Sequence, residues 1–160
     1  MSEHGRTRTE QGRVRSVAWV RVAWIVVAAL GCAFAVWNAF EPAGWSSMSC
    51  GKFGELDEPG VRAGATCDDP VWFAYGAWPL VTLGALLSAP AVVAALMMRW
   101  WVSWLAVAAL AALTVYGVAH WTGFWGLLMV GGAPMTVAAI VIAGIHLGVT
   151  AYNDSRHAVA

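Results

Sequence analysis

The chain has 160 residues, 60% of them apolar and 11% charged, and its nine Lys and Arg balance nine Asp and Glu. Soluble domains average about 45–50% apolar and about 25% charged, and so few charges cannot cover a surface that meets water. The high apolar content excludes disorder, and the lack of a basic stripe argues against nucleic acid as a partner. An integral membrane protein remains, with the lipid bilayer as its first partner.

In chain order, residues 1–16 are polar, carry Arg6, Arg8, Arg13 and Arg15, and show no apolar period. They predict a flexible tail whose arginines contact anionic lipid, at about 1 kcal/mol per charge. The first apolar run covers 17–40 with Arg21 near its start, and three more cover 71–98, 100–120 and 127–152. Apolar runs of about 20 residues are candidate membrane-spanning helices. Hydrocarbon offers no partner for backbone N–H and C=O groups, which a helix satisfies internally. A barrel would need alternating segments of about ten residues, and none is present. The first run exceeds the h-region of about 7–15 residues in a secretory signal peptide and is read as a retained anchor. Residues 153–160 make a second short tail. The expected fold is an all-α integral membrane protein, a four-helix transmembrane bundle over 17–152 with an outer loop at 41–70.

Orientation follows from the cations. Four arginines precede the first run, Arg99 separates the second and third, and Arg156 follows the fourth. The 41–70 loop instead holds Glu41, Glu55, Asp57, Glu58, Asp68 and Asp69 against Lys52 and Arg62. Both termini are therefore expected in the cytoplasm, with the loop and the 121–126 turn outside. Arginine far exceeds lysine, and Ala, Gly, Val and Trp abound. That bias of GC-rich codons points to a bacterial plasma membrane.

The loop carries Cys50 and Cys67 among glycines and a Pro59-Gly60 turn signal. An oxidising compartment favours a Cys50–Cys67 disulfide, at about 3 kcal/mol in the chain-entropy picture. Cys32, inside the first run, reads as a small hydrophobe. There is no Cys-x-x-Cys turn for thiol exchange, and two cysteines without a loop histidine fall short of a zinc site. The order of parts, a helix, a disulfide-bearing outer loop with an upstream Trp and then three helices, resembles claudin-type tetraspans. Trp45, Cys50 and Cys67 stand in the comparable places, while Ser46-Ser47-Met48-Ser49 replaces that family's Gly-Leu-Trp. The resemblance is architectural and assigns no family.

Chemistry at depth is sparse: no Asp, Glu or Lys lies in any of the four runs. Arg21 and His146 fall at comparable depth near the inner side and, with Thr150 and Tyr152, form a candidate inner polar pocket. The competing reading lets Arg21 snorkel to the headgroups and His146 bond a neighbouring helix. His120 ends the third run on the outer side, about 20–30 Å from His146 by the helix rise, too far to share one haem or metal. Thr82, Ser88, Ser103, Thr114, Tyr116 and Thr136 supply the midplane polarity, whereas proton-coupled transport calls for a carboxylate or His there. Pro79, Pro90 and Pro134 predict kinks.

Gly144 and Gly148 form a GxxxG packing motif, Ala139 and Ala143 a second small pair, and Ala106, Ala109 and Ala112 recur at helical spacing in the third run. Of the eleven tryptophans, Trp37, Trp45, Trp72, Trp78, Trp121 and Trp125 fall at the outer boundary. Trp19, Trp24, Trp100, Trp101 and Trp104 fall at the inner one. The expected role is an aromatic belt; the alternative is a cation cage of Trp45, Trp72 and Trp121.

No His-Glu-x-x-His, Gly-x-Ser-x-Gly or P-loop occurs, so no enzyme, cofactor or metal is expected. The functional expectation is a non-catalytic accessory or scaffold subunit of a larger bacterial membrane complex, respiratory or of the cell envelope. Its partners would be other membrane subunits or copies of itself. The alternative is a small homo-oligomeric channel or transporter with a Thr/Ser/Tyr path and an Arg21/His146 vestibule. A sensor with a ligand-binding outer loop is a third reading.

Overall fold

The structure, a computed structural model, describes residues 3–54, 56 and 59–158, and side chains for 18–52, 54, 56 and 59–148. Six α-helices follow in order: α1 Glu3–Phe40, α2 Met48–Phe53, α3 Val71–Ala74, α4 Ala77–Met97, α5 Trp100–Ala119 and α6 Leu127–Ala158. Single 3-10 turns lie at Ala43–Trp45 and Phe124–Gly126, and there is no strand among the described residues.

Four stretches, Ala18–Phe40, Ala77–Met97, Trp100–Ala119 and Phe124–Gly148, are long and apolar enough to cross a membrane. Only 33%, 39%, 33% and 33% of an apolar 18-residue part of each is buried inside the bundle. The remainder is an outward face of Val, Leu, Ile and Trp. Water would penalise a patch of that extent and hydrocarbon accepts it. The architecture therefore fits a multi-pass membrane protein.

The helices close a ring in which α1 packs on α4, α4 on α5, α5 on α6 and α6 on α1, with the α1–α4 and α5–α6 pairs the most extensive. Small residues permit these approaches. A Cβ added at Gly31 would meet the Leu87 backbone at 3.2 Å, and one at Gly84 would meet the Ala35 side chain at 3.2 Å. Between α5 and α6 the fit is tighter still, with a Cβ at Gly117 lying 2.9 Å from the Leu128 carbonyl carbon. The buried face of α1 is Val20, Trp24, Val27, Ala28, Gly31 and Ala35, a helical stripe of three- and four-residue steps.

Several boundaries differ from the sequence reading. The expected 71–98 span is interrupted: α3 ends at Ala74, and Gly76, at φ 81°, starts α4 afresh. That backbone conformation suits glycine and breaks the helix. Pro79 then occupies the first turn of α4, where no intrahelical hydrogen bond is lost, so it initiates the helix. Pro90 and Pro134 do lie inside α4 and α6. Helix also continues from the first and last spans into both expected tails, since α1 begins at Glu3 and α6 runs to Ala158. The stretch at 3–17 carries no proline, so no residue there blocks the hydrogen-bond ladder of the span helix, which continues even across Gly5 and Gly12.

Trp24 also departs from expectation. It is fully buried, while Trp19 is 70% exposed. Both lie near the same end of α1, but Trp24 is on the stripe facing the bundle. Cys32 is exposed on the outer face of α1.

Candidate functional site

The end of the bundle that carries the 41–76 segment is its most elaborated part. Two stretches of that segment run side by side. Ala43 N–H donates to the Asp69 carbonyl at 2.8 Å, Gly44 N–H to the Cys67 carbonyl at 2.9 Å, and Val71 N–H to the Glu41 carbonyl at 3.0 Å. The expected Cys50–Cys67 disulfide is present, with the Cα atoms 5.8 Å apart. Gly44 lies against it, where an added Cβ would be 3.2 Å from the Cys67 carbonyl oxygen. The Asp69 carboxylate accepts the Thr66 N–H at 2.7 Å and its hydroxyl at 2.9 Å. Arg62 donates its backbone N–H to the Ala74 carbonyl at 2.8 Å, and its guanidinium stacks 4.6 Å over the Phe73 ring. The loop thus clamps the start of the second hairpin by backbone bonds and a cation–π contact.

The loop also reaches the α5–α6 turn, since Met48 N–H donates to the Thr122 carbonyl at 3.1 Å. Two hollows flank this bridge. The larger, about 630 Å³, opens between α2, the start of α4 and the α5–α6 turn. Its apolar wall is Tyr75, Pro79, Phe124 and Trp125, and its polar rim includes Lys52 and His120. The Tyr75 and Phe124 rings lie 5.2 Å apart and the Phe124 and Trp125 rings 5.3 Å apart. The smaller hollow, about 410 Å³, has Trp45, Trp121 and Lys52 in its walls.

His120 is held in one orientation. Its ring stacks on Tyr116 with centroids 4.2 Å apart, and Nδ1 is 3.0 Å from the Tyr116 carbonyl oxygen. A carbonyl only accepts, so Nδ1 carries the proton and Nε2 is the nitrogen left for any further partner.

The Trp45, Trp72 and Trp121 cage is not assembled. Trp45 and Trp121 share the smaller hollow with the ammonium of Lys52, which opposes a cationic guest. Trp72 instead stands edge-on to Phe73, at 6.0 Å.

At the opposite end, Arg21 and His146 serve different neighbours. The Arg21 Nε–H donates to the Ala95 carbonyl of α4 at 3.1 Å. His146 is buried, with Nδ1 3.0 Å from the hydroxyl oxygen of Ser103 on α5. The Thr150 and Tyr152 side chains lie outside the described residues. The Ser103–His146 pair has the reach of a nucleophile and its base, but the two side chains are only 1% and 7% exposed. They cross-link α5 to α6.

The expected polar path is likewise turned inward on the helices. Thr82, Thr114 and Thr136 donate to the carbonyls of Trp78, Leu110 and Gly132 in their own helices, at 3.0, 2.8 and 2.8 Å. Thr114 and Thr136 also meet each other across α5 and α6 at 3.3 Å. No group of three His, Cys, Asp or Glu side chains is placed to hold a metal among the described residues.

The Gly144–Gly148 ridge faces away from the bundle: both glycines are exposed, and a Cβ at either meets nothing within 4 Å. Ala139 and Ala143 are the small pair that packs inside, at 0% and 1% exposure.

Comparison with protein-family models, with curated proteins and with solved structures finds no match.

The larger hollow escaped the sequence reading because its walls come from loop, helix ends and a turn that no local period connects. The one available signal was aromatic density around the break, at Tyr75, Phe124 and Trp125.

Proposed function

We propose that this chain is a non-catalytic subunit of a membrane assembly, docking a partner helix on the outward ridge of α6. One contrast carries the reading. Gly31, Gly84, Gly117, Gly131 and Gly132 each have a neighbour within 3.2 Å of an added Cβ, whereas Gly144 and Gly148 open on empty space. Glycine costs helix stability, by about 1 kcal/mol relative to alanine, and two at four-residue spacing create a groove that a second backbone can enter. The membrane is proposed to be a bacterial plasma membrane, from the Arg-rich composition, with cytoplasmic termini by the positive-inside rule.

The channel alternative loses support from the threonines, whose hydroxyls bond their own helices instead of lining a path. The test is a pull-down of tagged protein from native membranes in mild detergent. Gly144→Ile/Gly148→Ile should release a stoichiometric partner while the chain itself stays folded. Retention of every co-purifying chain by that variant, or a lone chain from the wild type, would sink the proposal.

A further inference from the structure

The larger hollow lies apart from the α6 ridge, and its lining suits one kind of guest. Its volume, about 630 Å³, is that of small-molecule sites, which run to about 300–1,000 Å³. The wall is amphiphilic in a directed way. Pro79 lies in the first turn of α4 and Tyr75, Phe124 and Trp125 cluster beside it, level with the ends of the apolar spans. Lys52, in the last turn of α2, brings an ammonium, and His120 brings a ring whose Nδ1 is already committed to Tyr116. No carboxylate occurs among the described lining residues. The polar side therefore favours an oxygen-rich acidic head, and the apolar side a hydrocarbon chain.

Overall charge narrows the guest further. Residues 41–70 carry six carboxylates against Lys52 and Arg62, and surface charges act over about 8 Å at physiological salt. A soluble polyanion is repelled at that range. An amphiphile with a single acidic head, arriving sideways through the apolar layer, meets Lys52 without crossing the acidic field.

We propose that this hollow binds an anionic amphiphile, its single carboxylate or phosphate on Lys52 and its chain along Tyr75, Pro79, Phe124 and Trp125. The same chemistry is offered by a bilayer phospholipid and by a free fatty acid.

The test is native mass spectrometry and competition binding on full-length protein in dodecyl maltoside, with three probes: oleate, phosphatidylglycerol and monoolein. Oleate and monoolein share a chain and differ in the acidic head. The expected result is saturable binding of oleate, phosphatidylglycerol or both, with monoolein weaker by about tenfold or more, the worth of one charge-assisted hydrogen bond. Lys52→Ala should weaken the acidic probe by about tenfold or more on the same ground, and Lys52→Arg should restore it. Phosphatidylglycerol alone would identify a membrane lipid as the guest, oleate alone a free acid, and both together the shared acidic head as what the hollow recognises. Lys52 is exposed at the surface, so its variants leave the core intact, and a retained Cys50–Cys67 bond checks this. Equal binding of monoolein, no saturable binding, or full affinity in Lys52→Ala overturns the proposal.

Discussion

Gly117→Ala is the sharpest probe of the bundle. A methyl group there would stand 2.9 Å from the Leu128 carbonyl carbon and 3.0 Å from the Met129 Cα, with the Met129 amide nitrogen nearer still. Favourable carbon contacts begin at about 3.5 Å, so the two helices must part by at least about 0.6 Å. A gap of about 0.5–1 Å forfeits a quarter to a half of the dispersion well at each affected contact. The opposing atoms are backbone, so no rotamer change relieves them. Overpacking of this kind costs about 1–3 kcal/mol, and here the upper part of that range applies. Alanine returns about 1 kcal/mol of helix propensity. The net expectation is a destabilisation of about 1–2 kcal/mol.

Gly144→Ala is the matched control, since its methyl meets nothing within 4 Å and only the propensity gain of about 1 kcal/mol remains. Both variants are to be unfolded by SDS titration in mixed micelles, followed by tryptophan fluorescence. If Gly117→Ala is as stable as Gly144→Ala, the close α5–α6 approach is wrong.

Two further outcomes are expected. Ser103→Ala and His146→Ala, singly and together, should show a coupling of about 0.6–1.7 kcal/mol, the range of interhelical hydrogen bonds in membranes; strict additivity in the same SDS titration would remove the Ser103–His146 bond. Cys50→Ser/Cys67→Ser frees a crosslink of sequence separation 17, worth about 3 kcal/mol in the chain-entropy picture. Loop cleavage by protease should then rise about a hundredfold with the span helices still protected, and an unchanged cleavage rate would refute that role.

The spans were legible because hydropathy is a property of each segment, needing no knowledge of its neighbours. The disulfide was legible for a similar reason: two cysteines in one loop leave one pairing. Interruptions were harder. Gly76 looked like any other glycine in an apolar run, and only its φ of 81° makes it a break; with the break in place, Pro79 becomes a first-turn residue instead of a kink. Trp24 was read by depth along the helix, whereas its angle around the helix decides its burial. Val20, four residues before it, and Gly31, seven after, already marked that angle. The glycine pairs show the same limit. GxxxG spacing identified Gly144 and Gly148 as a ridge, but the bundle uses Gly117, Gly131 and Gly132, which no motif singles out. Which small residue meets a neighbour depends on how four helices are arranged, and that information is spread across the whole chain.

The pairing of the helices has a consequence for biogenesis. The 120–126 turn lets α5 and α6 dock as soon as both have been made. The main partner of α1 is α4, which follows only after the long 41–76 segment. At a synthesis rate of about 5–20 residues per second, α1 waits on the order of several seconds with Val20, Trp24 and Val27 uncovered. A translational pause before α4 would lengthen its exposure, whereas the same pause after α6 would cost the bundle nothing.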